Sequence, residues 1–224
     1  MSSQAPAILF DLDGTLIDSA PDIVAILNKV LGELGLAPIP YDQGRVMIGR
    51  GAKVLLERAF TAINHPMERL DGALKRFLEL YRDEESLRLT TLYPGARELL
   101  QGLAEQGHPL GLVTNKPIAP TRTVLAHFGI TDMFATIYGG DVQEERKPAP
   151  FMLLAALKDL DRTPRSAVML GDTDNDVLAA KAAGVPVIGV SFGYSVRPIA
   201  ELEPDAIVDA LDQVPGLISS LAGV

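Results

Sequence analysis

Short, uninterrupted apolar runs that end abruptly at polar residues constrain the fold of this chain more than any other feature. A run without alternating polar positions is typical of a strand buried on both faces, as strands are in a parallel sheet. The first run, Ala7 to Phe10, ends at Asp11. The pattern recurs at residues 109–113, 167–170, 185–190 and 206–208, with a weaker example at 135–138. The sequence therefore predicts a buried parallel sheet.

Helical patterns lie between these runs. Apolar residues recur at helical spacing in residues 96–106, 121–128, 150–160 and 175–183. Strands that alternate with helices predict an α/β fold with a doubly wound, Rossmann-like parallel sheet. Because ligands bind beyond the carboxyl ends of the strands in such sheets, we expect Asp11, Thr114 and Asp172 to lie in one crevice.

One stretch breaks the alternation. Residues 20–89 contain no good strand, and helical patterns follow one another at 23–34, 52–63 and 70–81. An all-helical insertion after the first strand predicts a small cap-like second domain. We therefore expect a core domain of residues 1–19 and 90–224, an inserted helical domain of residues 20–89, and a return hinge at residues 92–95.

Composition excludes several classes of function. The chain has 224 residues and no cysteine, which rules out disulfides, zinc thiolate sites and cysteine nucleophiles. Its 29 acidic and 20 basic residues give a formal net charge of −9, and such a surface repels nucleic acid and anionic membranes. No apolar stretch reaches the roughly 18 residues of a membrane span, and we expect a cytoplasmic protein.

Two acidic clusters follow predicted strands. Asp11 and Asp13 start on the same side of an extended segment, and Gly14 permits a sharp turn there. A helix cap would explain Asp174 and one neighbour in the second cluster, but not Asp172 as well. Carboxylates that converge at one sheet edge repel each other unless a cation lies among them. Oxygen ligands of this kind suit Mg²⁺.

Such a site can perform phosphoryl transfer. An aspartate can act as a nucleophile and form an aspartyl-phosphate, while a second carboxylate protonates the leaving oxygen and later deprotonates water. Lys147 is the best counter-charge that the chain provides. Thr114 and the backbone amide of Asn115, at a predicted helix start, are suited to bind phosphoryl oxygens.

Four motifs in this order resemble those of the haloacid dehalogenase superfamily, and the helical insertion resembles its cap domain. The motif residues are Asp11-Leu12-Asp13-Gly14-Thr15-Leu16, Thr114, Lys147 and Gly171-Asp172-x-x-x-Asp176. The resemblance implies that Asp11 is the nucleophile and Asp13 the acid/base, and that Thr114 and Lys147 bind the phosphoryl group. A second acid at position 13 favours phosphoryl transfer over dehalogenation.

The same resemblance implies a Mg²⁺ cofactor. Its ligands would be Asp11, the backbone carbonyl of Asp13 and Asp172, with Asp176 in support. The residues expected to bind substrate are Gly14, Thr15, Arg50, Thr114, Asn115 and Lys147. Arg50 lies in a cap segment, residues 48–52, that resembles a substrate-specificity loop, where it either meets a substrate carboxylate or faces water.

A narrower match connects the chain to bacterial phosphoglycolate phosphatases. It rests on residues 10–22, on Thr114-Asn115-Lys116-Pro117 and on Phe192-Gly193-Tyr194. The implied reaction is Mg²⁺-dependent hydrolysis of 2-phosphoglycolate to glycolate and phosphate by a monomer or homodimer. Open alternatives are a phosphatase of a sugar phosphate such as N-acetylmuramate 6-phosphate, or of pyrophosphate, a β-phosphoglucomutase-like phosphomutase, and a non-catalytic Mg²⁺- or phosphate-binding module.

Overall fold

The apolar runs form strands at the centre of the molecule. The structure is a computed structural model that describes residues 4–82 and 87–223. The strands are β1 (Ala7–Phe10), β2 (Ile17–Asp18), β3 (Thr91–Leu92), β4 (Leu110–Val113), β5 (Thr136–Tyr138), β6 (Ala167–Gly171), β7 (Val187–Val190) and β8 (Ala206–Val208). The helices are α1 (Ala20–Glu33), α2 (Tyr41–Arg45), α3 (Ala52–Ala62), α4 (Leu70–Leu80), α5 (Ala96–Glu105), α6 (Ile118–His127), α7 (Phe151–Asp159), α8 (Asp174–Ala183) and α9 (Pro215–Leu221).

Six of these strands form one parallel sheet in the order β5-β4-β1-β6-β7-β8. Strand β1 pairs with β4 on one side and with β6 on the other. Every residue of these three strands is buried, which is why their sequences contain no polar position. Strand β5 lies at the edge and is only half-buried, which explains the weakness of its pattern. All six predicted strands are confirmed.

Helices cover both faces of the sheet. On one face, α5, α6 and α9 contribute Leu100, Leu125 and Ile218 to a buried cluster. On the other face, α7 and α8 contribute Leu153 and Ala180 to a second cluster. The prediction of a doubly wound α/β sheet is therefore confirmed, and the carboxyl ends of β1, β4 and β6 lie where the strand order reverses.

The helix boundaries differ from the sequence pattern in places. Helix α6 begins at Ile118, three residues before the predicted start, after Pro117 as its N-cap. Its first turn contains Pro120, which is tolerated at the start of a helix but does not by itself indicate one, so the local pattern does not reveal this turn. Helices α2 and α9 were not predicted because five and seven residues are too few to establish a period.

Helices α1 to α4 form the inserted cap, which has a hydrophobic core of its own. Leu27, Leu56, Phe60 and Phe77 are fully or almost fully buried at its centre. The cap closes over the reversal point of the sheet and so forms the second wall of a cleft. Within the described ranges, no helix has the length and apolar character needed to cross a membrane.

The two connections between cap and sheet are joined to each other. Strands β2 and β3 pair antiparallel, with Ile17 opposite Leu92. Asp22 Oδ2 accepts hydrogen bonds from the backbone N–H groups of Leu89 and Thr90, at 2.9 and 2.6 Å. The entry and exit of the cap therefore form one paired segment beside the sheet, which the sequence did not reveal because each strand has only two residues.

Candidate active site

Three buried carboxylates converge at the carboxyl ends of β1 and β6. Asp11 follows β1, Asp172 follows β6, and Asp176 lies in the first turn of α8. One oxygen from each lies within 4.8 Å of the others. The parallel topology brings residues that are 161 positions apart in the sequence (11 and 172) to one point. The expectation that the strand ends share one crevice is confirmed.

Asp176 has two structural tasks. Its Oδ2 accepts hydrogen bonds from the backbone N–H and the Oγ1 of Thr173, at 3.0 and 2.7 Å, in a capping box for α8. Its Oδ1 accepts a hydrogen bond from Lys147 Nζ at 2.6 Å. The helix cap that the sequence assigned to Asp174 and a neighbour is made by Thr173 and Asp176 instead.

Lys147 is the counter-charge of the carboxylate cluster. Its buried ammonium lies 2.8 Å from Asp11 Oδ1 and 2.6 Å from Asp176 Oδ1, and it also donates to the backbone carbonyl of Val113 at 2.7 Å. Two hydrogen bonds, to Asp176 and to Val113, and the ion pair with Asp11 hold the side chain in place.

One lysine does not neutralise three carboxylates. Burial raises the pKa of Asp11 to about 7, against the opposing effect of Lys147, and the charge of Asp176 raises it further. Burial also raises the pKa of the Asp172 carboxyl well above its usual range, with Asp176 and Asp11 adding to the shift. A group of oxygen ligands with excess negative charge fits a hard divalent cation, which offsets both the desolvation and the repulsion.

Asp172 is held by groups from two segments. Its Oδ2 accepts the backbone N–H of Tyr194 at 2.6 Å, and its Oδ1 accepts the hydroxyl of Thr15 at 3.2 Å. Gly14 has a φ of +90°, and a Cβ at that position would lie 2.2 Å from Asp172 Oδ2. Gly14 and Thr15, expected to bind substrate, therefore contact Asp172 rather than the cleft.

Asp13 lies beside this cluster with different partners. Its Oδ1 accepts hydrogen bonds from Lys116 Nζ at 2.8 Å and from Ser19 Oγ at 2.6 Å. Lys116 Nζ also donates to the hydroxyl of Tyr81, in the cap. Burial by itself lowers the pKa of Lys116, but the negative charge of Asp13 and the hydrogen bonds to Asp13 and Tyr81 outweigh it and raise that pKa above its usual value.

Sequence reasoning missed Lys116, Ser19 and Tyr81. The signal for Lys116 was present, since it stands two residues after Thr114 at the end of a predicted strand, among acidic strand ends. Ser19 reaches Asp13 across a turn of only six residues, which the helical and strand patterns do not describe. Tyr81 reaches Lys116 only because the cap folds back over the sheet, and no local pattern reports such a contact.

Thr114 and Asn115 form the floor of the cleft next to Asp11. Thr114 is fixed by its backbone N–H, which donates to Tyr138 O at 3.0 Å, and both residues line the cleft. Asn115 Nδ2 donates to the carbonyls of Gly49 and Lys147, at 3.0 and 2.9 Å. Asn115 is not at a helix start, because α6 begins three residues later, so its expected amide contact would be made from a loop.

Arg50 lies apart from these residues. Its guanidinium pairs with Asp174 Oδ2 at 2.6 Å, and both side chains are about a third or more exposed (42% and 34%). The pair connects the cap to the first turn of α8 on the outside of the cleft. Of the two alternatives for Arg50, the structure shows a surface ion pair.

The cleft lies between the carboxyl edge of the sheet and the cap. The sheet contributes its polar wall, and the cap contributes a largely apolar one. The lining residues are Asp11, Asp13, Thr114, Asn115, Lys116 and Pro117 from the sheet side, and Ile48, Gly49, Gly51, Ala52, Leu55, Phe77, Leu78 and Tyr81 from the cap.

Comparisons with known proteins agree with this geometry. A family model described as "Haloacid dehalogenase-like hydrolase" matches residues 8–190. A phosphoglycolate phosphatase of Rhodospirillum rubrum is 43% identical over 211 residues, covering 91% of this chain and 86% of the relative. A phosphoglycolate phosphatase of Pseudomonas putida is 38% identical over 221 residues, covering 97% of this chain and 81% of the relative.

Solved structures show the same fold. The crystal structure of a "predicted phosphoglycolate phosphatase" from Haemophilus somnus superposes with a TM-score of 0.90 at 33% identity, covering 97% of this chain and 99% of that chain. A predicted phosphatase from Clostridium acetobutylicum gives a TM-score of 0.83 at 25% identity, covering 98% of this chain and 100% of that chain. The resemblance seen in the sequence motifs is thereby confirmed, and with it the assignment as a phosphoric monoester hydrolase. The chain belongs to the haloacid dehalogenase-like hydrolases.

Proposed function

We propose that this enzyme hydrolyses 2-phosphoglycolate to glycolate and phosphate through an aspartyl-phosphate on Asp11, with Mg²⁺ as cofactor. One observation carries the proposal: Asp11, Asp172 and Asp176 converge beside Lys147, and Asp13 stands next to them at the floor of a cleft. A nucleophile, an acid/base and a cation site are the parts that phosphoryl transfer to and from an aspartate requires.

The carboxylate cluster supports the metal assignment. We propose Asp11, the backbone carbonyl of Asp13 and Asp172 as ligands, with Asp176 in support. Three buried carboxylates against one lysine leave excess negative charge, and burial raises the pKa of Asp11 and of Asp172, as expected for ligands that bind a cation. When bound, Mg²⁺ would supply neutralisation of the phosphoryl oxygens and a template for in-line attack.

The side chains of the chain would perform the remaining steps. The Asp11 carboxylate attacks phosphorus while Asp13 gives its proton to the leaving ester oxygen, which departs as an alcohol. Asp13 then takes a proton from the water that attacks the aspartyl-phosphate, and Asp11 is regenerated as phosphate leaves. Lys147 holds Asp11 and Asp176 in place and offsets their charge. Thr114 and Asn115 orient the phosphoryl oxygens from the cleft floor.

The choice of substrate rests on two observations. The relatives named above are phosphoglycolate phosphatases, and they match nearly the full chain. The cleft is closed by an apolar cap wall that offers few partners for a sugar's hydroxyl groups. Phosphatases of sugar phosphates such as N-acetylmuramate 6-phosphate, or of pyrophosphate, are therefore weaker alternatives.

A phosphomutase resembling β-phosphoglucomutase would use the same core residues. It would pass the phosphoryl group to a sugar hydroxyl instead of to water, and the apolar cap wall disfavours it for the same reason. A non-catalytic binding module is disfavoured because Asp11 and Asp13 are both present and both line the cleft.

The test is release of inorganic phosphate from 2-phosphoglycolate, several sugar phosphates, N-acetylmuramate 6-phosphate and pyrophosphate, each with Mg²⁺ and with EDTA. We expect metal-dependent release that is fastest from 2-phosphoglycolate. Faster release from another ester would keep the chemistry and replace the substrate. No release from any of them would contradict the proposal.

We also propose the boundaries predicted from sequence, with a core of residues 1–19 and 90–224 and a cap of residues 20–89. The buried cluster of the cap helices, which receives only Tyr194 from outside residues 20–89, supports this division. The monomeric or homodimeric state and the cytoplasmic location stay predictions.

A further inference from the structure

Lys116 is a buried cation to which the proposed mechanism gives no role. Among the described residues that line the cleft, it is the only lysine, arginine or histidine. Lys147 is also buried nearby, but it pairs with Asp11 and Asp176 and is not among the residues that line the cleft. A negative group on the substrate, other than the phosphoryl group, therefore has one cation in the cleft to meet.

The ammonium of Lys116 is held by two groups, one from each wall of the cleft. Its Nζ lies 2.8 and 3.2 Å from the two carboxylate oxygens of Asp13, and it donates to the hydroxyl of Tyr81. It also lies 4.6 Å from the centre of the Tyr81 ring. These three contacts with oxygen atoms match the three N–H donors of an ammonium. Two of them go to the same carboxylate, and the longer one, to Asp13 Oδ2, is the one that a ligand carboxylate in the cleft would replace.

The position of Lys116 sets where that ligand group would lie. Asp13 must reach the ester oxygen to protonate it, and Lys116 Nζ is in direct contact with Asp13. An anionic group within reach of Nζ is therefore only one or two carbon atoms from the ester oxygen. Without Lys116, such a group would face the negative charges of Asp13 and Asp11 alone.

The cap wall limits what else the substrate can carry. Ile48, Leu55, Phe77 and Leu78 present apolar surface to the cleft, and Tyr81 contributes a hydroxyl that Lys116 already contacts. Hydroxyl groups of a larger substrate would lose water there without gaining partners, which disfavours them. A short carbon chain ending in one carboxylate matches this wall.

We propose that Lys116, held in place by Tyr81, is the specificity-determining residue that binds a carboxylate on the non-transferred part of the substrate. The inference rests on the proposed phosphatase function and adds to it a substrate class: small phosphomonoesters with a carboxylate next to the ester carbon. The cap takes part through Tyr81, so the carboxylate is recognised only with the cap closed.

The test compares two esters of equal carbon number, 2-phosphoglycolate and ethyl phosphate, which differ in the carboxylate. For the intact enzyme we expect a kcat/KM that favours 2-phosphoglycolate. In Lys116→Gln we expect the ratio of the two kcat/KM values to fall about 10- to 100-fold, the range of a hydrogen bond to a charged group. Any general effect on Asp13 acts on both esters and cancels in the ratio. An unchanged ratio would overturn the inference.

Three further variants test whether a change in the ratio of kcat/KM values reflects loss of carboxylate binding. Lys116→Arg keeps the charge and should retain most of the preference, while Tyr81→Phe removes the positioning hydroxyl and should lower the ratio several-fold, mainly through KM. Tyr81→Phe also keeps the inference testable if Lys116→Gln does not fold, because an unchanged ratio there would contradict it. Lys75→Gln, on the exposed side of cap helix α4, is the matched control and should change neither ester's kinetics.

The outcomes separate this inference from the proposed function. If the intact enzyme hydrolyses both esters equally, or prefers ethyl phosphate, the phosphatase function stands and the carboxylate assignment is wrong. If it hydrolyses neither ester but releases phosphate from a sugar phosphate, the inference is wrong and the chemistry remains. If it releases phosphate from no ester, the proposed function itself fails.

Discussion

The two walls of the cleft differ in how their side chains are fixed. On the sheet side, Asp11, Asp172 and Lys147 are buried at strand ends or held by several hydrogen bonds each. On the cap side, residues such as Leu55 and Phe77 pack in the cap's own hydrophobic core and turn only part of their surface to the cleft. The sheet wall therefore supplies the charged groups of the cleft, and the cap wall supplies an apolar surface that limits its shape.

This difference assigns separate tasks to the two walls. Charged groups that must stabilise a transition state act best when they are held rigidly by the fold. An apolar wall on a separately packed layer can exclude water and select for size without carrying charge of its own. The two walls meet at the hydrogen bond from Lys116 to Tyr81. Through this bond, the position of the cap affects the position of a charged group on the sheet wall.

Substitution of the nucleophile should give the largest effect on the sheet wall. We expect Asp11→Asn to lower kcat by about 10⁴-fold or more, because the amide oxygen is a poor nucleophile for phosphorus. The fold should persist, since asparagine has nearly the same shape. Steady-state phosphate release measures kcat, and circular dichroism measures folding. Asp132→Asn, at an exposed position, is the control, and near-normal turnover of Asp11→Asn would remove the nucleophile assignment.

Removal of the counter-charge should destabilise the same wall. Lys147→Met leaves Asp11 and Asp176 without their cation, and we expect a loss of about 3–5 kcal/mol in the free energy of unfolding. Because a cation can replace part of the lost charge, added Mg²⁺ should recover some of this stability. Urea unfolding with EDTA and with Mg²⁺ measures both effects. Lys158→Met, at an exposed lysine of α7, should change little, and equal losses in the two variants would contradict the assignment.

The raised carboxylate pKa values predict how the sheet wall responds to pH. Burial raises the pKa of Asp11 from 3.8 to about 7, so the folded protein holds this proton more tightly than the unfolded chain does. Its contribution to stability is complete below about pH 4 and is lost as the pH rises through about 7. Protons compete with the metal, so the stabilisation by Mg²⁺ should grow over the same range.

Thermal unfolding from pH 5 to pH 8, in EDTA and in excess Mg²⁺, measures this response. The difference in Tm between the two conditions should increase with pH and should be smaller and flatter in Asp11→Asn. A metal-induced shift in Tm that does not depend on pH would contradict the coupling between proton and metal.

We expect the smallest effect from Arg50→Ala, a substitution in the cap. Arg50 forms an exposed ion pair outside the cleft, and such pairs contribute about 0.2–1 kcal/mol. We expect kcat/KM for 2-phosphoglycolate to change by less than about threefold. Asp174→Ala removes the other partner and should have the same effect. A tenfold or larger loss of kcat/KM in Arg50→Ala alone would indicate that Arg50 contacts the substrate. The cap wall would then contribute a charged group to the cleft.

Much of the sheet wall could be predicted from the sequence. Strands buried on both faces have uninterrupted apolar runs, and the first polar residue after each run marks the carboxyl end of the strand. Asp11, Thr114 and Asp172 were found in this way, and the order of the motifs led to Lys147 and Asp176. These residues could be identified because their roles follow from their position relative to a strand end.

The partners of Asp13 and of Asp172 could not be predicted in this way. Ser19 approaches Asp13 through a turn that has no strand or helix period. Tyr81 approaches Lys116, and the backbone of Tyr194 approaches Asp172, only after separate segments pack together. The placement of Arg50 is of the same kind, since the sequence left open whether it meets substrate or solvent, and its pairing with Asp174 follows from the way the cap lies on α8.

By itself, the sequence determined the fold class, the helical insertion and the residue types of the phosphoryl-transfer site, because burial and strand ends leave local patterns. The tertiary structure decided which charges are paired, which cation is left for a ligand and which wall of the cleft is apolar. Those properties depend on distances between segments that are far apart in the chain, and only packing sets such distances.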